Sequence, residues 1–86
     1  MYQKVAILNT DEGLHARPAS IFIKKANEFQ DTTIKLIKGK KEVNAKSIMS
    51  VLGLGVLDGE EILVSAVGEF ERDAVDALVE LLEGGF

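Results

Sequence analysis

His15 is the only histidine of the chain, and Arg17 stands two positions after it in the octapeptide Gly13-Leu14-His15-Ala16-Arg17-Pro18-Ala19-Ser20. Imidazole has an unperturbed pKa of about 6.5, so near neutrality much of it is the neutral base that can attack phosphorus. Arg17 carries a permanent charge on a planar fork that matches phosphate oxygens. A nucleophile next to a phosphate-matching cation suits phosphoryl chemistry. A loop histidine alone would need no such role; the Gly before His15 and the Arg-Pro after it single it out.

The positioning element comes next in the chain. Ala19, Phe22, Ile23, Ala26 and Phe29 recur at three- and four-residue intervals, which predicts a helix over residues 16–28 with one apolar face. Pro18 suits a helix start, because its missing N–H has no intrahelical partner there. His15 then sits just outside the first turn. The free amides of that turn, Ala16 and Arg17 among them, and the positive end of the helix dipole form a site for an anion.

The remaining elements follow from alternation and turn signals. Residues 2–8 read as a strand containing Val5 and Ile7, and residues 9–13 as a polar loop. Asp31 and Thr32 close the first helix connection. Ile34 and Leu36 alternate with Lys35 in a second strand, and Lys38-Gly39-Lys40 turns into a third over residues 41–44. Ser47 stands where a helix N-cap belongs, before an apolar segment of about two turns whose end is bracketed by Gly53 and Gly55. Asp58-Gly59 leads into a fourth strand over residues 61–67. Ala74, Val75, Leu78, Leu81 and Leu82 mark a last helix, ended by Gly84-Gly85.

The order is β-α-β-β-α-β-α, an α+β domain spanning residues 1–86. Four strands with helices on one face bury these stripes most simply. The pattern alone leaves two layouts open, an open-faced sandwich and a ferredoxin-like split sandwich.

Composition narrows the function. With no cysteine and one histidine, neither disulfides nor a Cys/His metal site can be built, so no metal and no cofactor are expected. No signal peptide and no apolar run of membrane-spanning length are visible, which predicts a cytoplasmic protein without membrane insertion. Net charge is −4, unevenly spread: residues 1–52 hold nine Lys/Arg and five Asp/Glu, residues 53–86 one Arg and nine Asp/Glu. The half with His15 is the basic half, an asymmetry that steers association with acidic partners. Nucleic acid is a poor partner, because the basic residues do not alternate with stacking aromatics.

The octapeptide resembles the active-site signature of the HPr family, the histidine-containing phosphocarriers of the bacterial phosphoenolpyruvate-dependent sugar phosphotransferase system. Val43-Asn44-Ala45-Lys46-Ser47-Ile48-Met49-Ser50-Val51 resembles that family's regulatory serine region. The resemblance covers essentially the whole chain. It implies the open-faced sandwich, with a four-stranded antiparallel sheet and three helices on one face. It implies that His15 accepts a phosphoryl group on Nδ1 from Enzyme I and passes it to an enzyme IIA domain. Arg17 would stabilise the charge, with Ala16, Arg17 and Pro18 forming the phosphate site. The protein would be a covalent carrier and a substrate of enzymes, not a catalyst.

The resemblance further implies that Ser47 is phosphorylated by a serine kinase, and dephosphorylated by a phosphorylase, in lineages that have them. A catabolite-control transcription factor is then a further partner. A docking patch is expected from Ser20, Ile21, Ile48, Met49 and Leu52, ringed by Arg17, Lys24, Lys25 and Lys46, on a monomer. Two rivals keep the fold and change the role. One is a purely regulatory binding protein acting through Ser47, for which His15 would be superfluous; the other is a carrier in a nitrogen-related phosphotransfer chain.

Overall fold

The strands follow the alternation of apolar and polar residues. The computed structural model describes residues 1–11 and 13–86. In chain order it contains β1 (Tyr2–Ile7), α1 (Ala16–Asn27), β2 (Thr32–Lys38), β3 (Lys41–Asn44), α2 (Ile48–Leu54), β4 (Glu61–Gly68) and α3 (Glu71–Glu80). A final turn, Leu81–Gly85, follows α3 and leaves the helical path at Glu83 and Gly84, where φ is 122° at the glycine. The four strands form one sheet in the order β1-β4-β2-β3, antiparallel throughout.

Register puts like residues on one face. Ala6 pairs with Ile62, Ile34 with Ala66, and Leu36 with both Val64 and Val43. Ala6, Ile34, Leu36, Ile62, Val64 and Ala66 are buried under the helices. The opposite face carries the row Val5, Leu63 and Ile37 together with Gln3, Thr33 and Lys35, and Val5 is exposed. This is the open-faced sandwich of the α+β class, with three helices on one side.

Each helix presents one stripe to that face. Pro18, Ala19, Phe22 and Ala26 are buried from α1, Val51 and Leu54 from α2, and Ala74, Val75 and Leu78 from α3. Phe22 is the largest fully buried side chain, and burying such a ring stabilises the fold by roughly 1.5–3 kcal/mol.

Boundaries of the strands and of α1 and α2 match the sequence reading within two residues, as fraying ends allow, whereas α3 ends at Glu80, and Leu81 and Leu82, read as its last turn, lie in the segment that follows. Gly53 lies inside α2. The helix continues through it to bury Leu54 and ends at Gly55, whose φ of 65° is left-handed and whose N–H donates to the Leu52 carbonyl at 3.2 Å. Phe70, just before α3, adopts a φ of 58°, which the apolar pattern did not signal.

Backbone bonds gather several connections at one end of the sheet. Leu8 donates to the Glu60 carbonyl at 3.0 Å, and Gly59 donates back to the Leu8 carbonyl at 2.8 Å. Lys38, before the β2–β3 turn, places its ammonium 3.0 Å from the Gly55 carbonyl. Asn9 donates to the Leu82 carbonyl at 2.8 Å. The start of α1, the end of α2 and the end of the chain therefore meet where β1 leaves the sheet. No described helix is long and apolar enough to cross a membrane.

Candidate functional site

His15 is the N-cap of α1, with extended backbone angles, and its carbonyl accepts the first helical bond from Ala19 at 2.8 Å. The amides ahead of Ala19 have no partner within the helix. Pro18 has none to offer, which leaves Ala16 and Arg17 as the donors at the helix mouth. His15, Ala16 and Arg17 are exposed while Pro18 is buried, so these three residues face solvent above an anchored first turn.

The residue before His15 is held from behind. Leu14 is buried and donates its N–H to the Val56 carbonyl at 2.9 Å. Gly13 has a φ of 75°, and a Cβ placed there would lie 3.1 Å from the Val56 oxygen. Only glycine meets both demands without strain. This contact spans more than forty positions in the chain and has no local signal.

Spacing along α1 puts Arg17, Ser20, Ile21 and Lys24 on one side, and all four are exposed. Next to them a depression of about 260 Å3 is lined by Thr10, Arg17, Pro18, Ile21 and Phe86. Thr10 and Phe86 did not stand out in the sequence, because they reach the site only through the folding of the loop and the final turn.

α2 packs beside α1 and continues the surface. Met49 is 76% exposed and Ile21 40%, whereas Ile48 and Leu52 are half-buried against the core. Within α2 the apolar residues thus divide between core and surface, as a two-turn helix requires. Lys25 pairs with Glu28 at 3.2 Å, and the Lys46 ammonium donates to the Phe29 carbonyl beyond the end of α1. Lys46 therefore serves the fold as well as any surface, while Lys24 stands exposed.

Ser47 is the N-cap of α2, its hydroxyl accepting from the Ser50 N–H at 3.4 Å. Asn27, at the far end of α1, donates to the Lys46 carbonyl at 3.3 Å. The twelve residues of α1 span about 18 Å, so Ser47 stands most of that length from His15. The two positions share a surface and not a site. Among the described residues there is no cluster of three His, Cys, Asp or Glu side chains that could hold a metal ion.

The chain matches, over residues 2–84, the family described as the phosphotransferase system HPr component phosphorylation site. It is 40% identical over 78 residues to a phosphocarrier protein HPr of Buchnera aphidicola subsp. Acyrthosiphon pisum, covering 91% of each chain. The crystal structure of HPr-C-His from Thermoanaerobacter tengcongensis superposes with a TM-score of 0.94 at 42% identity, covering all of this chain and 96% of that one. A phosphocarrier protein HPr from Bacillus anthracis str. Ames gives a TM-score of 0.90 at 36% identity, covering 94% of this chain and 95% of that one.

Proposed function

The chain belongs to the HPr family of phosphotransferase-system phosphocarriers, and on that footing we propose that His15 takes a phosphoryl group from the phosphohistidine of Enzyme I and passes it to an enzyme IIA domain. The coarse role is that of a phosphocarrier rather than a catalyst. The observation that supports His15 as the acceptor is its place as N-cap of α1, directly before the Ala16 and Arg17 amides and two residues from an exposed guanidinium.

Transfer is an in-line exchange between nucleophiles. As Nδ1 of His15 approaches the phosphorus, a new N–P bond forms and the N–P bond of the donor histidine breaks, its electron pair returning to a donor ring that leaves as neutral imidazole because its other nitrogen carries a proton. The charge on the three equatorial oxygens is met by the helix mouth and the Arg17 fork, and alignment between the proteins supplies most of the acceleration. The reverse geometry delivers the group to enzyme IIA.

Ser20, Ile21, Lys24, Ile48, Met49 and Leu52, with Lys46 at the margin, are the docking surface in this reading. Met49 supports it as an exposed, adaptable apolar contact. Ser47 is the regulatory phosphorylation site, at the edge of that surface, and a serine kinase and a catabolite-control factor are its partners. The protein acts as one cytoplasmic domain over residues 1–86 and as a monomer.

The test is intact-mass measurement after mixing the protein with phosphoenolpyruvate, magnesium and purified Enzyme I, with His15→Ala alongside. One acid-labile phosphate, absent from the variant, is expected. An unmodified wild-type chain, folded and with active Enzyme I, would shift the role to regulation through Ser47.

A further inference from the structure

The loop that carries His15 is fastened to a turn that the sequence places more than forty residues later. That turn is itself braced. Leu57 donates its N–H to the Glu60 carboxylate at 2.7 Å, and Glu60 donates its own N–H to the Leu57 carbonyl at 3.1 Å. Lys38 pairs with the same carboxylate at 3.1 Å. Gly59 and Glu60 also exchange backbone bonds with Leu8, so the backbone after Asp58 is fixed against the end of β1.

From this support the Asp58 carboxylate accepts the Thr10 N–H at 3.1 Å. The Thr10 carbonyl accepts the Gly13 N–H at 3.2 Å, and the Leu14 N–H goes to Val56. Both ends of the loop are thereby fixed to one short segment, and His15 is the next residue. We infer that Asp58 is a positioning residue for His15, setting the loop through Thr10 and Gly13 without touching the phosphoryl group.

The inference rests on His15 being the phosphoryl acceptor, and it separates geometry from charge. A carboxylate near a phosphate-handling site repels the incoming anion, so a purely electrostatic role predicts that losing the charge helps transfer. A positioning role predicts that the acceptor oxygen is what counts. Asn keeps that oxygen and drops the charge; Ala drops both.

The experiment compares Asp58→Ala and Asp58→Asn with wild type, using Enzyme I and phosphoenolpyruvate as the phosphoryl source. Asp58→Ala is expected to lose about tenfold in phosphorylation rate, on kcat more than KM because the docking residues are untouched. Asp58→Asn is expected to stay near wild type. Amide NMR shifts of Thr10, Gly13 and Leu14 in the free proteins should move in the Ala variant and return in the Asn variant. An Ala variant with wild-type rate and shifts, or Ala and Asn variants equally slow, would overturn the assignment. Thermal unfolding identifies an Ala variant that has lost its fold, and the Asn variant then decides: slow transfer by a folded Asn protein counts against positioning. If wild type takes no phosphate on His15, the carrier reading fails; the amide shifts need no Enzyme I and still judge the loop.

Discussion

Gly13 approaches the Val56 carbonyl so closely that an added Cβ would sit 3.1 Å from its oxygen, at a backbone φ of 75°. The close approach lets Leu14 reach the same carbonyl and places His15 at the helix mouth. Gly13→Ala should therefore cost about 1–2 kcal/mol for the left-handed backbone alone. Urea unfolding should show that loss, and phosphorylation by Enzyme I should slow as the loop shifts. A variant as stable and as fast as wild type would mean the loop relaxes without moving His15.

In the proposed transfer Arg17 acts through its shape as well as its charge. Charge-assisted hydrogen bonds contribute about 1.5–3 kcal/mol, so Arg17→Ala should slow transfer by roughly ten- to a hundredfold. Arg17→Lys keeps the charge and loses the planar fork, and should fall between Ala and wild type. Single-turnover phosphorylation from phospho-Enzyme I measures both. Equal rates for Lys and Arg would show that net charge suffices.

Much of this molecule is visible in local pattern. The alternation of Ile34, Lys35 and Leu36 writes a strand, and the spacing of Ala19, Phe22 and Ala26 writes a helix whose start displays His15 and Arg17. The strand order β1-β4-β2-β3 is not local, since it depends on which apolar faces meet once the chain closes. The contacts of Gly13 with Val56 and Thr10 with Asp58 escape the sequence for the same reason. Lys46 shows a different gap: its type suggests a surface cation, and only the fold shows its ammonium on the Phe29 carbonyl. Gly53 and Gly55 bracket a helix end in the sequence, and α2 does end between them, at Leu54.

Edge strand β1 is held to α3 by charge. Lys4 lies 2.8 Å from Asp76, whose carboxylate also accepts the Tyr2 hydroxyl at 3.2 Å. The Lys4 ammonium, and then Tyr2, hold the Asp76 carboxyl below its ordinary 3.8, and the Leu57 N–H and Lys38 hold Glu60 below 4.5. Asp76 in turn raises Lys4 above 10.5. For the carboxylates the unfolded chain takes up protons first, so their contribution is complete above the ordinary values and is lost as pH falls through the folded ones. For Lys4 the contribution is complete below 10.5 and is lost as pH rises through its raised value. The melting temperature should be level near neutrality and drop at both extremes. Because Lys4 and Asp76 are exposed and Lys38 and Glu60 only partly covered, the changes should be small and reduced by salt. Asp76→Asn should flatten both limbs; a pH profile identical to wild type would show that the pair does not stabilise β1.

Ser47 separates structural from regulatory effects by substitution. Ser47→Ala loses the cap on α2, and with a hydroxyl-to-amide distance of 3.4 Å the cost should be near the low end of such caps, about 0.5 kcal/mol. Ser47→Asp keeps an oxygen for the Ser50 N–H and adds a negative charge at the favourable end of the helix, so its stability should match or exceed wild type. Its transfer kinetics should differ. Ser47 stands most of the length of α1 from His15, so under the proposed docking surface the added charge should act through Ile48 and Met49 and not through the imidazole. Phosphorylation by Enzyme I should slow by a higher KM, and raising the ionic strength should recover much of the loss. A salt-independent fall in kcat would place the effect at His15 and contradict regulation at the docking surface.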